Sequence, residues 1–200
     1  MKNKIDYPRG TFLFAHGAGA GMDHAFMLEM SRLLEDAGLE VLRFEFPYMQ
    51  KFRLDGKRRP PDRINVLLDY YRALIESQVS ADRPLYIGGK SMGGRVASML
   101  LEETEAAACF CFGYPFHPPK KPENLRTAHL LTSEKPIHIF QGTRDAMGSY
   151  EEVLNYGLPD AVQVHWLEDG DHDLKPRKAS GFTWQQHLEQ IACQVQERIS

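Results

Sequence analysis

The chain has 200 residues, of which 42% are hydrophobic and 26% charged, and its net charge at pH 7 is −3. This length predicts a single domain over residues 1–200, and the composition excludes a disordered, collagen-like or coiled-coil chain. No stretch approaches 18 apolar residues, and the N-terminal segment lacks the apolar core of a secretion signal. We therefore expect a soluble, cytoplasmic protein with no membrane partner.

The cysteines argue against a metal site, and the charge of the whole chain argues against a nucleic-acid site. Cys109, Cys111 and Cys193 cannot all pair within one chain and show no metal-ligand spacing, so we predict a reduced compartment and no metal site. Residues 51–63 carry six basic and two acidic side chains, a charge that suits a phosphate or nucleic-acid contact. The balanced charge of the whole chain and the absence of a nucleic-acid-binding motif argue against nucleic acid as a partner.

Short apolar runs alternate with helical patterns along the chain, which predicts an α/β fold. We expect a three-layer α/β/α sandwich around a mostly parallel central sheet of about six strands. Helices are expected to begin at the caps Asp23 and Asp62 and at a capping box of Ser149 and Glu152. The predicted strands occupy residues 11–15, 41–46, 85–88, 107–112, 137–140 and 162–166.

A serine turn joins the third predicted strand to a helix. Its residues Gly89-Lys90-Ser91-Met92-Gly93 fit the pattern G-x-S-x-G, which in this context is typical of a nucleophile elbow. We predict Ser91 as the nucleophile and the backbone N–H of Met92 as one donor to an oxyanion. A helix cap without chemistry is the alternative; a phosphate-binding loop is excluded because its first glycine would fall at Pro84.

A serine nucleophile needs a histidine base and a carboxylate that orients the base. Asp145 and His172 follow the fifth and sixth predicted strands, in the chain order Ser, Asp, His that this elbow requires. His138 and His165 lie within predicted strands instead. We therefore predict His172 as the base and Asp145 as its partner, the alternatives being a solvated loop histidine and a turn aspartate.

The loop after the first strand has the sequence His16-Gly17-Ala18-Gly19. Its glycines expose backbone N–H groups, so we predict the N–H of Ala18, or that of Gly17, as the second donor of an oxyanion hole. The loop lacks the third glycine of a dinucleotide-binding motif. We therefore expect no cofactor.

Four motifs, HGAG, GGKSMGG, QGTRD and DGDH, follow one another along the chain. In this order they resemble the α/β-hydrolase superfamily, and most closely its small members without a cap that are related to dienelactone hydrolase. The resemblance implies a reduced α/β-hydrolase fold, a catalytic triad of Ser91, Asp145 and His172, and hydrolysis of an ester, thioester or related acyl bond. Two features depart from it: ten residues precede the first strand, so the usual first hairpin is missing, and Ser91 replaces the cysteine of the dienelactone enzymes.

The loops after the strands should select the substrate. Residues 113–135 form a long insertion that begins with aromatic residues, and we expect a shallow, open cleft walled by Tyr114, Phe116 and His117. Lys90, Arg144 and the basic segment 51–63 would make this cleft positive. The expected partner is thus a small acyl substrate, and an anionic one on this reasoning, unless the basic face is only solvated.

These observations predict a serine hydrolase of carboxylesterase or thioesterase type that works through an acyl-enzyme. The alternative from another class is a catalytically silent protein with the α/β-hydrolase fold that binds a partner or a small molecule. Cofactor-free haloperoxidase chemistry and peptide cleavage also use such a serine turn.

Overall fold

A computed structural model describes residues 7–78, 80 and 82–199 of the chain. Within them, six parallel strands form one sheet in the order β2-β1-β3-β4-β5-β6. The strands are β1 (Gly10–Ala15), β2 (Leu39–Phe44), β3 (Leu85–Lys90), β4 (Ala108–Phe112), β5 (Ile137–Gly142) and β6 (Val162–Leu167). The helices are α1 (Ala25–Asp36), α2 (Pro47–Asp55), α3 (Ile64–Gln78), α4 (Met92–Leu100), α5 (Tyr150–Val153) and α6 (Trp184–Gln196).

Both faces of the sheet are buried, which explains why its strands read as continuous apolar runs. In β1, Phe12 and Phe14 face one layer and Leu13 and Ala15 face the other, because successive side chains alternate across a strand. Helices α1 and α6 pack together on the first face, and α3 and α4 pack together on the second. The predicted three-layer α/β fold with about six strands and no large cap is thus confirmed.

The region after β1 differs from the prediction at β2 and in the basic segment. The second strand ends at Phe44 rather than Phe46, because the Phe46 N–H turns away from the sheet and donates to the ring of His16 at 3.1 Å. Helix α2 follows at once and includes residues 51–55, which were expected to be loop. It begins at Pro47, since proline suits the first helical position as well as it ends a strand.

Two of the three predicted helix caps are wrong. Asp23 does not cap α1, whose N-cap is His24; its carboxylate pairs with Arg53 at 2.6 Å instead. Asp62 accepts a hydrogen bond from the Tyr48 N–H at 2.9 Å, and so satisfies a free donor in the first turn of α2. The predicted capping box of α5 is present.

Parallel strands bring their carboxyl ends to one edge of the sheet. The loops that follow β1, β3, β5 and β6 therefore meet there, and these are the loops that carry the four sequence motifs. None of the helices in the described part of the chain is long and apolar enough to span a membrane.

Tyr71 of α3 links the neighbouring strands β1 and β3 through its buried hydroxyl, which donates to the Leu13 carbonyl (2.6 Å) and accepts from the Gly88 N–H (3.0 Å). Tyr71→Phe would leave both backbone groups without this partner, and we expect the free energy of unfolding to fall by ~1–3 kcal/mol. Urea denaturation measures this loss. Tyr7→Phe is the matched control, because the Tyr7 side chain is 93% exposed; equal midpoints for the two variants would contradict the assignment.

His138 and His165, whose ring nitrogens lie 3.3 Å apart between β5 and β6, should make stability depend on pH. Burial, with smaller contributions from neighbouring positive charges, lowers the pKa of each from 6.5 to about 4. The unfolded chain therefore binds protons at a higher pH than the folded one. We expect the free energy of unfolding to decline by ~5 kcal/mol between pH 6.5 and 4 because of this pair.

Urea titrations at several pH values test this dependence. The double variant His138→Gln, His165→Gln should show a shallower decline than the wild type over the same range, while carboxylates contribute equally to both. An identical slope for the two proteins would show that the pair does not titrate in this way.

Candidate active site

Ser91 occupies a sharp turn between β3 and α4. Its backbone angles, φ 50° and ψ −115°, lie in a region that residues other than glycine rarely adopt. The turn is possible because glycines flank it: a Cβ on Gly89 would lie 2.5 Å from the Ala15 carbonyl oxygen, and one on Gly93 would lie 2.6 Å from it. The structure thus places Ser91 on the strained strand-to-helix turn that the sequence predicts.

Ser91, His172 and Asp145 form a continuous chain of hydrogen bonds. His172 Nε2 lies 2.8 Å from Ser91 Oγ, and His172 Nδ1 lies 2.8 Å from Asp145 Oδ2. Because a carboxylate accepts only, Nδ1 carries the proton and Nε2 is free to accept from the serine hydroxyl. The structure therefore brings the three residues predicted from chain order together in one hydrogen-bonded chain, and their catalytic roles stay a prediction.

Asp145 is fully buried and is held by two further donors. The Met147 N–H donates to Oδ1 and Gln141 Nε2 donates to Oδ2, both at 2.8 Å. Gln141 is itself fixed, since its Oε1 accepts from the Tyr114 N–H at 2.7 Å. This role of Gln141 was not predicted from the sequence, although a polar residue at the end of an apolar strand was a usable signal.

Lys90 precedes the serine and was expected to contact the substrate. Its side chain is mostly buried, and Nζ donates to the carbonyl oxygen of His172 at 2.5 Å and lies 3.7 Å from Asp173. Burial lowers the pKa of this ammonium, while the nearby carboxylates oppose that change. Lys90 therefore ties the His172 loop to the end of β3, and it also lines the cleft beside Ser91.

The loop after β1 lies against the serine turn. His16 fixes its start, since the Nδ1–H donates to the Gly17 carbonyl at 2.7 Å and Nε2 accepts from the Phe46 N–H; burial lowers the pKa of His16 and favours this neutral form. Gly17 and Ala18 line the cleft next to Ser91. Their role as oxyanion donors, and that of Met92 at the start of α4, stays a prediction.

The cleft at the serine has a volume of about 320 Å³. The loop after β1 and residues Ser91, Met147 and His172 form its walls.

The aromatic walls expected from segment 113–135 are absent from this cleft. Tyr114 and Phe116 are fully buried and His117 is 2% exposed, so the prediction that they wall the cleft is wrong. The chain after β4 turns back into the core, where the Tyr114 and Phe116 rings pack edge to face and the Tyr114 hydroxyl donates to the Arg126 carbonyl. For this segment, burial of the aromatic rings in the core is therefore more favourable than their exposure at the cleft.

Several of the cations expected to make the cleft positive are paired with carboxylates. Arg144 donates to Asp169 at 2.9 Å and lines a separate depression with Trp166. In the basic segment, Arg53 pairs with Glu45 and Asp23, and Arg59 pairs with Asp55. None of residues 51–63 lines the cleft at Ser91, so this segment does not form part of its wall.

Comparison with solved structures finds the same fold elsewhere. A serine hydrolase homologue from Coxiella burnetii is 15% identical with a TM-score of 0.70, over 97% of this chain and 86% of its own. A serine hydrolase without a lid from Xanthomonas campestris is 16% identical with a TM-score of 0.70, over 98% and 83%. Dienelactone hydrolase from Anabaena variabilis is 20% identical with a TM-score of 0.65, over 95% and 85%.

The family comparison covers almost the whole chain. The model of the alpha/beta hydrolase domain matches residues 8–200, which include the four motifs and every strand of the described sheet. The chain therefore belongs to the alpha/beta hydrolase family.

Proposed function

We propose that the protein is a serine hydrolase that cleaves a carboxylic ester or thioester through an acyl-enzyme. One observation carries the proposal: His172 bridges Ser91 and Asp145 with two hydrogen bonds of 2.8 Å. A protein that only binds a partner has no physical need for this alignment at the end of a strained turn. Two of the similar structures are described as serine hydrolases, which supports the same proposal.

In the first half of the reaction, Ser91 Oγ attacks the carbonyl carbon while its proton passes to His172 Nε2. The carbonyl oxygen becomes an oxyanion, which the N–H groups of Met92 and of Ala18 or Gly17 would stabilise. The intermediate then collapses, the bond to the leaving oxygen or sulfur breaks, and His172 returns its proton to that atom. The acyl group remains on Ser91.

In the second half, water attacks the acyl carbon and gives its proton to His172 Nε2. The bond to Ser91 Oγ breaks, the serine regains its proton, and a carboxylic acid leaves. Asp145 stays ionised throughout, holding Nδ1–H in place and stabilising the imidazolium that forms twice in each cycle.

The proposal predicts a single covalent adduct on Ser91 after treatment with a fluorophosphonate probe, detected by intact-mass spectrometry and peptide mapping. Ser91→Ala should abolish the adduct. His172→Ala and Asp145→Asn should slow labelling and ester hydrolysis by about 10³- to 10⁴-fold, because the hydroxyl then lacks a correctly oriented base. Ser77→Ala, at an exposed serine near the end of α3, is the matched control. A folded wild-type protein that takes up no probe would contradict the proposal.

Gln141 should act as a positioning residue for Asp145. Gln141→Leu keeps the size of the side chain but removes the donor to Asp145 Oδ2, so we expect kcat on a simple ester to fall about 10-fold, with little change in KM. Gln163→Leu is the matched control, since Gln163 is exposed on the neighbouring strand β6. A loss of thermal stability without any loss of kcat would limit Gln141 to a structural role.

A further inference from the structure

A second depression adjoins the cleft at Ser91 on the side of helix α2. It has a volume of about 280 Å³ and shares Ala20 and His24 with the cleft. Its other walls are Gly21 and residues of α2, including Met49 and Phe52. We call this depression, lined by Ala20, Gly21, His24, Met49, Phe52 and Arg53, the α2 pocket.

The walls of the α2 pocket are mainly apolar, and its shape depends on a missing side chain. A Cβ on Gly21 would lie 2.5 Å from Glu45 Oε1 and 3.3 Å from Met49 Cγ. A side chain at residue 21 would displace the Glu45 carboxylate and press on Met49, so the glycine preserves the present fit of the loop against α2. Met49 and Phe52 lie one turn apart on α2, so they present a single apolar surface to the pocket.

The charged groups at the pocket satisfy one another. Arg53 pairs with Glu45 at 2.7 Å and with Asp23 at 2.6 Å, and these carboxylates raise the pKa of the guanidinium. The Glu45 side chain is only 5% exposed, so this negative charge is held at the pocket wall. An anionic group in the pocket would meet two carboxylates and an arginine already occupied by them.

The position of His172 decides which part of a substrate can reach this pocket. The leaving atom must lie close to His172 Nε2, because that nitrogen returns the proton to it. His172 and Asp173 line the cleft at Ser91 but not the α2 pocket, which lies beyond Ala20 in the loop after β1. The group that stays on Ser91 is the one directed away from His172.

We propose that the α2 pocket binds the acyl group of the substrate, and that this acyl group is neutral, apolar and short. The inference rests on the proposed function and adds the substrate class. Because a water molecule takes about 30 Å³ of liquid, a pocket of about 280 Å³ holds a group the size of roughly nine waters. Since a methylene group takes nearly the same volume as a water molecule, an unbranched chain of up to about eight carbons or one small ring fits this size.

Esters with one leaving group and different acyl groups test the proposal in the wild type. For p-nitrophenyl acetate, butyrate, hexanoate and decanoate, we expect kcat/KM to rise about four-fold per methylene up to hexanoate and then to fall at decanoate. A p-nitrophenyl ester of succinic acid, whose acyl group carries a carboxylate, should be at least 10-fold poorer than the butyrate ester at low salt.

Two variants change the pocket in opposite directions. Met49→Trp, at a residue that lines the α2 pocket but not the cleft at Ser91, should fill part of the pocket and lower kcat/KM for the hexanoate ester at least 10-fold, with the acetate ester changed less than three-fold. Phe52→Ala should widen the pocket and shift the preferred acyl length towards decanoate. Leu54→Ala is the matched control, because Leu54 is on the same helix but 87% exposed. For acetate esters of alcohols of increasing length, the dependence of kcat/KM on alcohol length should be the same in the wild type and the three variants.

The possible results distinguish failure of the acyl-pocket proposal from failure of the proposed hydrolase activity. Three results would overturn the acyl-binding role of the α2 pocket but leave the proposed hydrolase activity intact. They are hydrolysis of the acetate ester with no dependence of kcat/KM on acyl length, an equal loss of activity on all esters in both pocket variants, and a preference for the succinate ester. An effect confined to alcohol length would assign the pocket to the leaving group and overturn the proposal. A folded protein with neither ester hydrolysis nor probe labelling at Ser91 would overturn both.

Discussion

The close approach of β1, β3 and α4 at the serine turn is the constraint on which the site depends. Ser91 keeps a backbone conformation that typically costs of order 1–3 kcal/mol, and it does so because Gly89 and Gly93 let two chain segments pass the Ala15 carbonyl without a side chain between them. The buried sheet around the turn holds this geometry. Since β1 and β3 are neighbours, the same contact also sets the loop after β1 beside the serine hydroxyl.

The main features of the fold and the three central residues of the site could be predicted because both follow from local pattern and chain order. Short apolar runs and amphipathic helical patterns predicted the strands and helices that form the three layers. Ser91, Asp145 and His172 each follow a predicted strand, so a parallel sheet brings them to one edge. Helix α2 was missed because Pro47 can either end a strand or begin a helix. Packing, rather than local pattern, decides between these two.

Side-chain exposure and charge could not be read from the sequence in the same way. Tyr114 and Phe116 were expected at the cleft because they follow a strand, but the direction of the chain after β4 depends on the space that the core offers. Arg53 counts as a positive charge in the sequence, whereas in the structure it lies between Glu45, on the preceding loop, and Asp23, which is 30 residues away along the chain. Such pairs arise only from the fold, and they change the expected ligand from anionic to neutral.

A site without a large cap must obtain its alignment from groups that are already in place before substrate binds. Two buried contacts supply it at two members of the hydrogen-bonded chain: Gln141 holds the Asp145 carboxylate at its end, and the Lys90 ammonium holds the backbone carbonyl of His172 in its middle. Burying a lysine is unfavourable unless its charge is opposed, and Asp173 lies 3.7 Å away to do so. Because hydrogen bonds to charged groups are stronger than neutral ones, the imidazole is fixed relative to Ser91 without a lid. The cleft can then stay open to substrate while the reacting groups remain in register.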